Sequence, residues 1–285
     1  MSSQSVLTDS APLDLRLSED ELAATRERIV AFIEETVEAA GATGAILGLS
    51  GGIDSTTTAY LAVEALGPEG LHGLIMPSEV NDEGNMSDAE RVAADLGIEY
   101  DVIDVAPIAE AFFDAVDADV AGRDGDPYRT AAGNVRVRTR AVLNYLVANL
   151  EDRVVLGTGN RSEALTGYYT KYGDQAVDCN PIGNLYKQQV RQLAAHVGVP
   201  HDLVMKTPSA GMWLGQTDEE EMGLGYDTLD AILALHVDGP LSTAATVRAL
   251  DGVSEEHVRR VDELHERSAH KRRMPPAPEG PGGPY

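Results

Sequence analysis

Short apolar runs alternate with longer amphipathic stretches along the first half of the chain. An apolar run of this length is typical of a strand buried in a parallel sheet, and an amphipathic stretch is typical of a helix that covers it. Strands that alternate with helices indicate an α/β fold with a doubly wound parallel sheet, and such a sheet binds ligands beyond the carboxyl ends of its strands. The predicted strands cover residues 45–49, 71–76, 99–105 and 153–156.

Capping signals place the helices between these strands. Ser18-Glu19-Asp20-Glu21 is a capping box, and it predicts a helix that runs to about Ala40. A second cap, Ser87-Asp88-Ala89-Glu90, predicts a helix that begins there and stops near Gly97. Further helices are predicted over residues 55–66, 107–116 and 130–150, with additional C-terminal helices from residue 226 onward.

The length of 285 residues suits one large α/β domain with helical additions. We expect an N-terminal extension over residues 1–17, a single domain over 18–273 and a Pro/Gly-rich tail over 274–285. The sequence shows neither an apolar run of 18 residues nor a signal peptide, so we expect a protein of the cytoplasm that binds no membrane.

The chain is strongly acidic, and this limits the partners it can bind. Asp and Glu number 47 against 22 Lys and Arg, which gives a net charge of −25. Such a chain repels nucleic acids and anionic membranes. Because the acids are spread along the whole chain, a halophilic protein of a high-salt cytoplasm is favoured over one with an acidic interaction surface. Lysine is rare, so we expect the remaining lysines to be enriched for function; they are Lys171, Lys187, Lys206 and Lys271.

The loop SGGIDS, from Ser50 to Ser55, follows the first predicted strand and precedes a helix. Unpaired N–H groups and the helix dipole favour an anion there, and the glycines let a phosphate approach closely. The loop is not a Walker A motif, because no Gly-Lys-Ser/Thr follows the glycines. Asp54 places a carboxylate beside the phosphates, which we interpret as a Mg²⁺ ligand. The alternative is an ordinary turn with a helix-capping Asp or Ser.

Long polar stretches punctuated by glycine follow the fourth predicted strand, and loops of this kind are usually functional. With SGGIDS, they resemble the ammonia-dependent NAD⁺ synthetases over about residues 20–273. SGGxDS alone is shared by many ATP pyrophosphatases, whereas YTKYGD followed by NPIG and a lysine is far narrower. The stretches are GTGNRSE (157–163), GYYTKYGD (167–174), NPIGNLYK (180–187), KTPSAGMW (206–213) and GQTDEEE (215–221).

This resemblance implies a Rossmann-like fold of the adenine nucleotide α-hydrolase type and a homodimer. It implies a ligase that adenylates the nicotinate carboxylate of deamido-NAD⁺ with ATP and amidates it with ammonia, giving NAD⁺, AMP and pyrophosphate. Two departures from the family pattern are mild: Ser209 stands where threonine is usual, and Gln175-Ala176 replaces a Gly-Gly pair.

The resemblance also implies residue roles. Mg²⁺ is expected on Asp54 and Glu163, and catalysis is assigned to Asp54 and Lys187. The ATP-binding set is Gly48, Leu49, Ser50, Gly51, Gly52, Ile53, Asp54, Ser55, Thr158, Lys187 and Ser209. The set for deamido-NAD⁺ is Arg138, Lys171, Asp178, His270 and Lys271.

Other interpretations remain open at this point. Glu163 could be a helix-surface acid, Asp178 a turn residue, and His270 a complement to a helix C-terminus. The whole chain could be a different ATP pyrophosphatase or a non-catalytic nucleotide sensor. Cys179, the single cysteine, excludes intrachain disulfides and is most simply a small buried hydrophobe.

The expected nitrogen donor is free ammonia rather than glutamine. Glutamine hydrolysis normally needs an activated cysteine, and Cys179 lies within a stretch assigned to substrate binding. No segment before residue 18 or after residue 273 is long enough for a glutaminase domain. A separate glutaminase subunit stays possible.

Overall fold

The computed structural model describes residues 15–78, 83–116, 125–209, 211, 216–276 and 278. The N-terminal half alternates helices and strands, and the C-terminal half is helical. The strands are β1 (Ala45–Gly48), β2 (Leu71–Ile75), β3 (Glu99–Val102) and β4 (Val154–Leu156). The helices of the first half are α1 (Glu19–Ala40), α2 (Ile53–Leu66), α3 (Glu83–Leu96), α4 (Ala106–Ala115) and α5 (Gly125–Glu151).

Short helices and long connections follow β4. They are α6 (Arg161–Thr166), α7 (Lys187–His196), α8 (His201–Val204), α9 (Asp218–Met222), α10 (Tyr226–Ile232), α11 (Thr243–Ala249) and α12 (Glu255–Arg267). A π turn, Leu233–Val237, continues α10, and a 3₁₀ turn, Ala269–Lys271, follows α12. The predicted C-terminal helices are therefore confirmed.

The four described strands form one parallel sheet in the order β3-β2-β1-β4. Ala45 of β1 pairs with Leu71 on one side and with Val154 on the other. The chain thus builds outward from β1 to β3 and then returns to the opposite side of β1 with β4. This reversal puts a crevice between the carboxyl ends of β1 and β4, which is where such sheets bind ligands.

Alternate residues of each central strand pack on opposite faces, which confirms the doubly wound arrangement. Ala45 and Leu47 belong to a core with α1, α2 and α7, whereas Ile46 packs in a separate core with Ala148 of α5. A third core joins α10 and α12 beside the sheet. Burial on both faces explains why these strands are continuous apolar runs.

Several predicted boundaries need correction. The second cap is wrong, because α3 begins at Glu83 and the Ser87 hydroxyl donates to the Gly84 carbonyl at 2.9 Å inside the helix. Helix α5 begins at Gly125 rather than at residue 130. The third strand ends at Val102, although Val105 N still donates to Pro77 O at 2.9 Å.

The segment before α1 is packed where it is described. Leu15 is buried against the C-terminal helices, and Leu17 N donates to Gln192 Oε1 at 2.8 Å. The predicted capping box of α1 is present, since Ser18 and Glu21 bond each other's backbone N–H. Most of the predicted tail lies outside the described residues. Within the part of the chain that is described, no helix has the length and apolar character needed to cross a membrane.

Candidate active site

The loop between β1 and α2 presents a helix N-terminus to a cavity. Gly52 is the N-cap of α2 and receives no side-chain cap bond, so the first N–H groups of the helix remain available. Gly51 adopts a φ of +72°, a conformation that favours glycine. The Ser50 and Ser55 hydroxyls lie 3.0 Å apart and brace the turn. Neither Asp nor Ser caps the helix, so its N-terminus is open to an anion from the cavity.

A cavity of about 520 Å³ opens at the crevice between β1 and β4. Most residues expected to bind ATP or Mg²⁺ line it, with one residue expected to bind deamido-NAD⁺. These are Gly48, Leu49, Ser50, Gly52, Ile53, Asp54, Ser55, Thr158, Glu163, Lys187, Ser209 and Lys271.

Lys187 lines this cavity and is deeply buried. It is 2 % exposed, and its Nζ donates a hydrogen bond to Asp54 and lies 3.8 Å from Glu163 Oε1. Its backbone N donates to Ser162 Oγ at 3.0 Å, which fixes the start of α7 against α6. The Tyr226 ring lies beneath the ammonium, with its centroid 5.2 Å from Nζ.

Asn160, which the sequence interpretation left without a role, holds the two acids in place. It is the N-cap of α6, and its side chain and that of Glu163 satisfy each other's backbone N–H. Its Nδ2 also donates to Asp54 Oδ1 at 3.0 Å. Glu163 is therefore a helix-capping acid that also faces the cavity beside Lys187.

Carboxyl groups outnumber cationic side chains around Lys187. Burial and the Asp54 carboxylate raise the pKa of Glu163, although Lys187 opposes the rise. Burial disfavours a charged Lys187, but the Asp54 and Glu163 carboxylates outweigh it and raise the pKa of this lysine. Burial likewise raises the pKa of Asp218, which Lys187 and the Tyr226 and Tyr168 hydroxyls oppose. One ammonium thus serves three carboxyl groups, and further positive charge is favoured there.

The donor set fits a hard divalent cation. Carboxylate oxygens are preferred by Mg²⁺, which is commonly bound through one or two carboxylates plus phosphate oxygens and waters. Among the described residues, no group of three or more His, Cys, Asp or Glu forms a complete metal cage. Asp54 and Glu163 could therefore hold such an ion only together with oxygens from a bound nucleotide or water.

Three residues expected to bind deamido-NAD⁺ form a separate cluster that does not line the cavity. Arg138 donates to the Lys171 carbonyl at 3.1 Å and 3.2 Å, and Lys171 Nζ donates to the His270 carbonyl at 2.9 Å. Lys271 instead turns inward, where its Nζ donates to the Gly167 and Tyr169 carbonyls at 2.7 Å and 2.5 Å. The structure therefore splits the expected set between a surface cluster and the cavity wall.

Asp178 lies outside the cavity lining. Its side chain accepts from Val155 N at 2.7 Å and from the Tyr145 hydroxyl at 3.0 Å. Burial and this second bond raise the pKa of Tyr145 to about 12. Asp178 thus ties residues 177–179 alongside β4, which is a structural role that its position in the motif did not indicate.

Lys206 is a further cavity residue that received no assigned role. Its Nζ donates to the Gly51 carbonyl at 3.2 Å and to Asp88 Oδ2 at 2.5 Å. It therefore links the loop from Ser50 to Ser55 to α3. The rarity of lysine in the sequence was a signal for it, but the partners could not be read from the sequence.

Gln175, one of the departures from the family pattern, packs directly against the second glycine loop. A Cβ on Gly159 would fall 2.1 Å from Gln175 Nε2, and Gln175 Oε1 accepts from Asn180 Nδ2 at 3.2 Å. The larger residue is accommodated because Gly159 has no side chain.

Comparisons with known proteins identify the family of this chain. The family model described as NAD synthase matches residues 25–275. The NH(3)-dependent NAD(+) synthetase of Halobacterium salinarum is 60% identical over 268 residues, which cover 94% of this chain and 97% of that one. The same enzyme of Hyperthermus butylicus is 49% identical and covers 87% of each chain.

Solved structures show the same architecture. An NH3-dependent NAD synthetase from Campylobacter jejuni has a TM-score of 0.73 at 29% identity and covers 93% of this chain and 100% of that one. An NMN synthetase from Francisella tularensis has a TM-score of 0.77 at 34% identity, with 92% and 99% covered. The expected fold class is confirmed by these neighbours.

Proposed function

The chain belongs to the NAD synthase family, and we propose that it forms NAD⁺ from deamido-NAD⁺, ATP and ammonia. The observation that carries the proposal is the buried Lys187 between Asp54 and Glu163, at the uncapped N-terminus of α2. A nucleotide triphosphate brings the negative charge that this helix end and ammonium would neutralise.

The chemistry proceeds in two steps. A carboxylate does not react with ammonia in neutral water, because its oxygen is a poor leaving group. The nicotinate carboxylate attacks the α-phosphorus of ATP, and the bond to pyrophosphate breaks. Ammonia then attacks the carbonyl carbon of the acyl-adenylate, AMP leaves with the electron pair of the C–O bond, and a proton is released.

This chain's own residues supply positioning and charge rather than a nucleophile. The N–H groups around Gly52 would face the phosphates of a bound nucleotide, and Lys187 could donate to a phosphate oxygen because its raised pKa keeps it protonated. Preorganised donors of this kind stabilise charge that develops on a leaving pyrophosphate. Thr158 and Ser209 offer hydroxyls on the same cavity wall.

Asp54 and Glu163 are the residues that would hold Mg²⁺, together with nucleotide phosphate oxygens. When bound, the ion would offset phosphate charge as a Lewis acid. The support is the excess of carboxyl groups around Lys187 and the position of Asp54 at the start of α2.

The deamido-NAD⁺ half of the site is proposed to lie near the interface of a homodimer. Val142, Leu146 and Leu150 are 67%, 52% and 77% exposed and follow each other at four-residue spacing along α5. Arg138 begins the same ridge, one turn earlier. An exposed apolar ridge marks an interaction surface. A second copy on this ridge would bring its own residues beside Arg138, Lys171 and His270.

The experiment that tests the function is substrate-dependent pyrophosphate release by the purified chain. ATP, Mg²⁺ and deamido-NAD⁺ are expected to give pyrophosphate, and NAD⁺ is expected to appear when an ammonium salt is added. A parallel assay replaces deamido-NAD⁺ with nicotinate mononucleotide as the carboxylate substrate. No pyrophosphate release with either acceptor would contradict the proposal, and a clear preference for the mononucleotide would change the substrate.

A further inference from the structure

A second cavity of about 260 Å³ adjoins the first at the start of α9. Thr207, Pro208 and Asp218 line both cavities. The smaller cavity is therefore separated from the nucleotide cavity by a shared wall that includes one carboxyl group.

Asp218 is a buried acid in which only one of the two carboxylate oxygens has a hydrogen-bond partner among the described residues. The residue is 3% exposed, and its Oδ2 accepts from the Tyr226 hydroxyl at 2.9 Å. Its Oδ1 has no hydrogen-bond partner within the described part of the chain. The Tyr168 hydroxyl lies close enough to lower the pKa of the Asp218 carboxyl, but it has a single hydrogen, which it donates to Glu221 at 2.6 Å. Buried carboxylate oxygens are normally satisfied, so a donor from outside the chain is expected here.

The surroundings select a small cationic donor. Glu219 and Asp227 line the smaller cavity against a single described guanidinium, Arg191. Negative walls repel ATP and the dinucleotide and attract a small cation. Lys187 Nζ donates to Asp54, and it makes no hydrogen bond to Asp218 Oδ1.

We propose that Asp218 captures the nitrogen donor as ammonium, which enters through the smaller cavity and donates an N–H to Oδ1. The proposal rests on the function proposed above. It gives the third substrate its own binding residue and its own entrance. The nitrogen is then held on the wall of the cavity in which the acyl-adenylate forms. It attacks as NH₃ after the ammonium gives one proton to the Asp218 carboxylate.

The test variant is Asp218→Asn. An asparagine retains an oxygen that accepts from Tyr226, but it presents an NH₂ donor where Oδ1 accepted. Two assays separate the half-reactions. ATP–pyrophosphate exchange that depends on deamido-NAD⁺, run without ammonia, reports adenylation. NAD⁺ formation against ammonium concentration reports amidation.

We expect the KM for ammonium to rise about tenfold or more, as for the loss of one charged hydrogen bond, while the exchange rate stays near that of the wild type. The matched control is Glu220→Gln, an exposed acid on the same helix that lines neither cavity. It should change neither assay.

Two results would overturn the proposal. An unchanged KM for ammonium removes the binding role, and an equal loss in both assays shows that Asp218 acts through Lys187. If wild-type protein lacks exchange with deamido-NAD⁺, it is the proposed function that fails, and this is seen before any variant is compared.

A measurement on the wild type keeps the test decisive if the variant does not fold. Methylammonium should inhibit in competition with ammonium, and not with ATP or deamido-NAD⁺. Inhibition that ammonium cannot relieve, or no inhibition, contradicts a specific ammonium site.

Discussion

Lys187 is buried, yet it stays charged because carboxyl groups surround it. Asp54 and Glu163 reach it from elements 133 and 24 residues away in the chain, respectively. Removing one partner of a buried ion pair leaves an uncompensated charge, which costs about 3–5 kcal/mol in typical proteins. A substitution at this centre therefore needs a stability control beside the activity measurement.

Asp54→Asn and Glu163→Gln should each lower kcat by about 10²-fold or more, the scale for losing one preorganised electrostatic contact. Each variant keeps the side-chain shape and can no longer form a carboxylate. The readout is NAD⁺ formation at saturating substrates, with folding checked by circular dichroism. Partial recovery at higher Mg²⁺ concentration is expected. A folded Asp54→Asn protein with near-normal kcat would show that the charge is not needed.

Cys179 is expected to be dispensable for ammonia-dependent turnover. The residue is half-buried, and burial raises the pKa of its thiol to about 11, so the reactive thiolate is scarce at neutral pH. Cys179→Ser should retain most NAD⁺ formation from ammonium salts, and a thiol alkylating reagent should modify the native protein slowly. Turnover with glutamine by the purified chain, lost in Cys179→Ser, would contradict this expectation.

At the scale of elements, Gly167 joins α6 to the segment after α12. It is the C-cap of α6 with a φ of +66°, and a Cβ there would lie 2.0 Å from Ser268 Cβ and 3.4 Å from Lys271 Cδ. Gly41, the C-cap of α1, has the same φ of +66°, and a Cβ there would meet nothing within 4 Å. A substitution strains the backbone equally at the two positions, but only at Gly167 does the added Cβ also clash with another residue.

Gly41→Ala should cost about 1–2 kcal/mol of unfolding free energy, the penalty for a left-handed alanine. Gly167→Ala should cost about 1–3 kcal/mol more, because Ser268 has to move. It should also lower activity by displacing Lys271 from the cavity wall. Urea unfolding and NAD⁺ formation provide the measurements. Equal free-energy losses in the two variants would show that Ser268 and its neighbours move aside at no measurable cost.

The sequence predicted β1, β2 and β4 closely because each is a mostly apolar run buried on both faces. The exposed β3 was also located, but its predicted end at residue 105 lies beyond its observed end at Val102. β1 was expected over residues 45–49 and lies at 45–48. The start of α3 was missed because a serine followed by an acid three residues later also occurs inside helices, where Ser87 bonds back to Gly84. Local patterns therefore locate buried elements better than helix ends.

The site was predictable to the extent that motifs mark it. Asp54, Glu163 and Lys187 meet as the family resemblance implied. The roles of Asn160 and Asp218 depend on contacts between distant loops, and no periodicity or spacing shows which buried acid lacks a partner. The ligand assignments of all these residues stay predictions, including those of Arg138, Lys171, Asp178, His270 and Lys271 to deamido-NAD⁺.

At the scale of the whole molecule, Leu146→Glu should convert a homodimer into monomers. The substitution places a charge in the middle of the exposed α5 ridge, where a second copy would have to desolvate it. Light scattering after gel filtration measures the mass, and the KM for deamido-NAD⁺ should rise with dissociation.

The control for the dimer is Phe32→Glu, an exposed apolar residue on α1 that is 42% exposed. It should leave the mass and the KM unchanged. A Leu146→Glu protein that remains dimeric would place the interface elsewhere, and a wild-type protein that is monomeric while active would exclude the dimer.

The net charge of −25 should make stability depend on salt. Exposed acids repel one another across the surface, and Glu34 and Glu38 do so one turn apart near the end of α1, a helix whose last turn carries no basic residue. Screening lengths fall from about 10 Å at 0.1 M salt to about 3 Å at 1 M, which removes most of this repulsion.

We therefore expect Tm and activity to rise with KCl between about 0.1 M and about 1 M, by about 2–4 °C for each kcal/mol gained. The variant Glu34→Gln/Glu38→Gln separates screening from general salt effects. It should raise Tm at low salt and gain less from added KCl than the wild type. Differential scanning calorimetry measures both. A Tm that is flat or falls over this range would refute the halophilic interpretation, whereas equal salt responses in the two proteins would place the relevant repulsion away from α1.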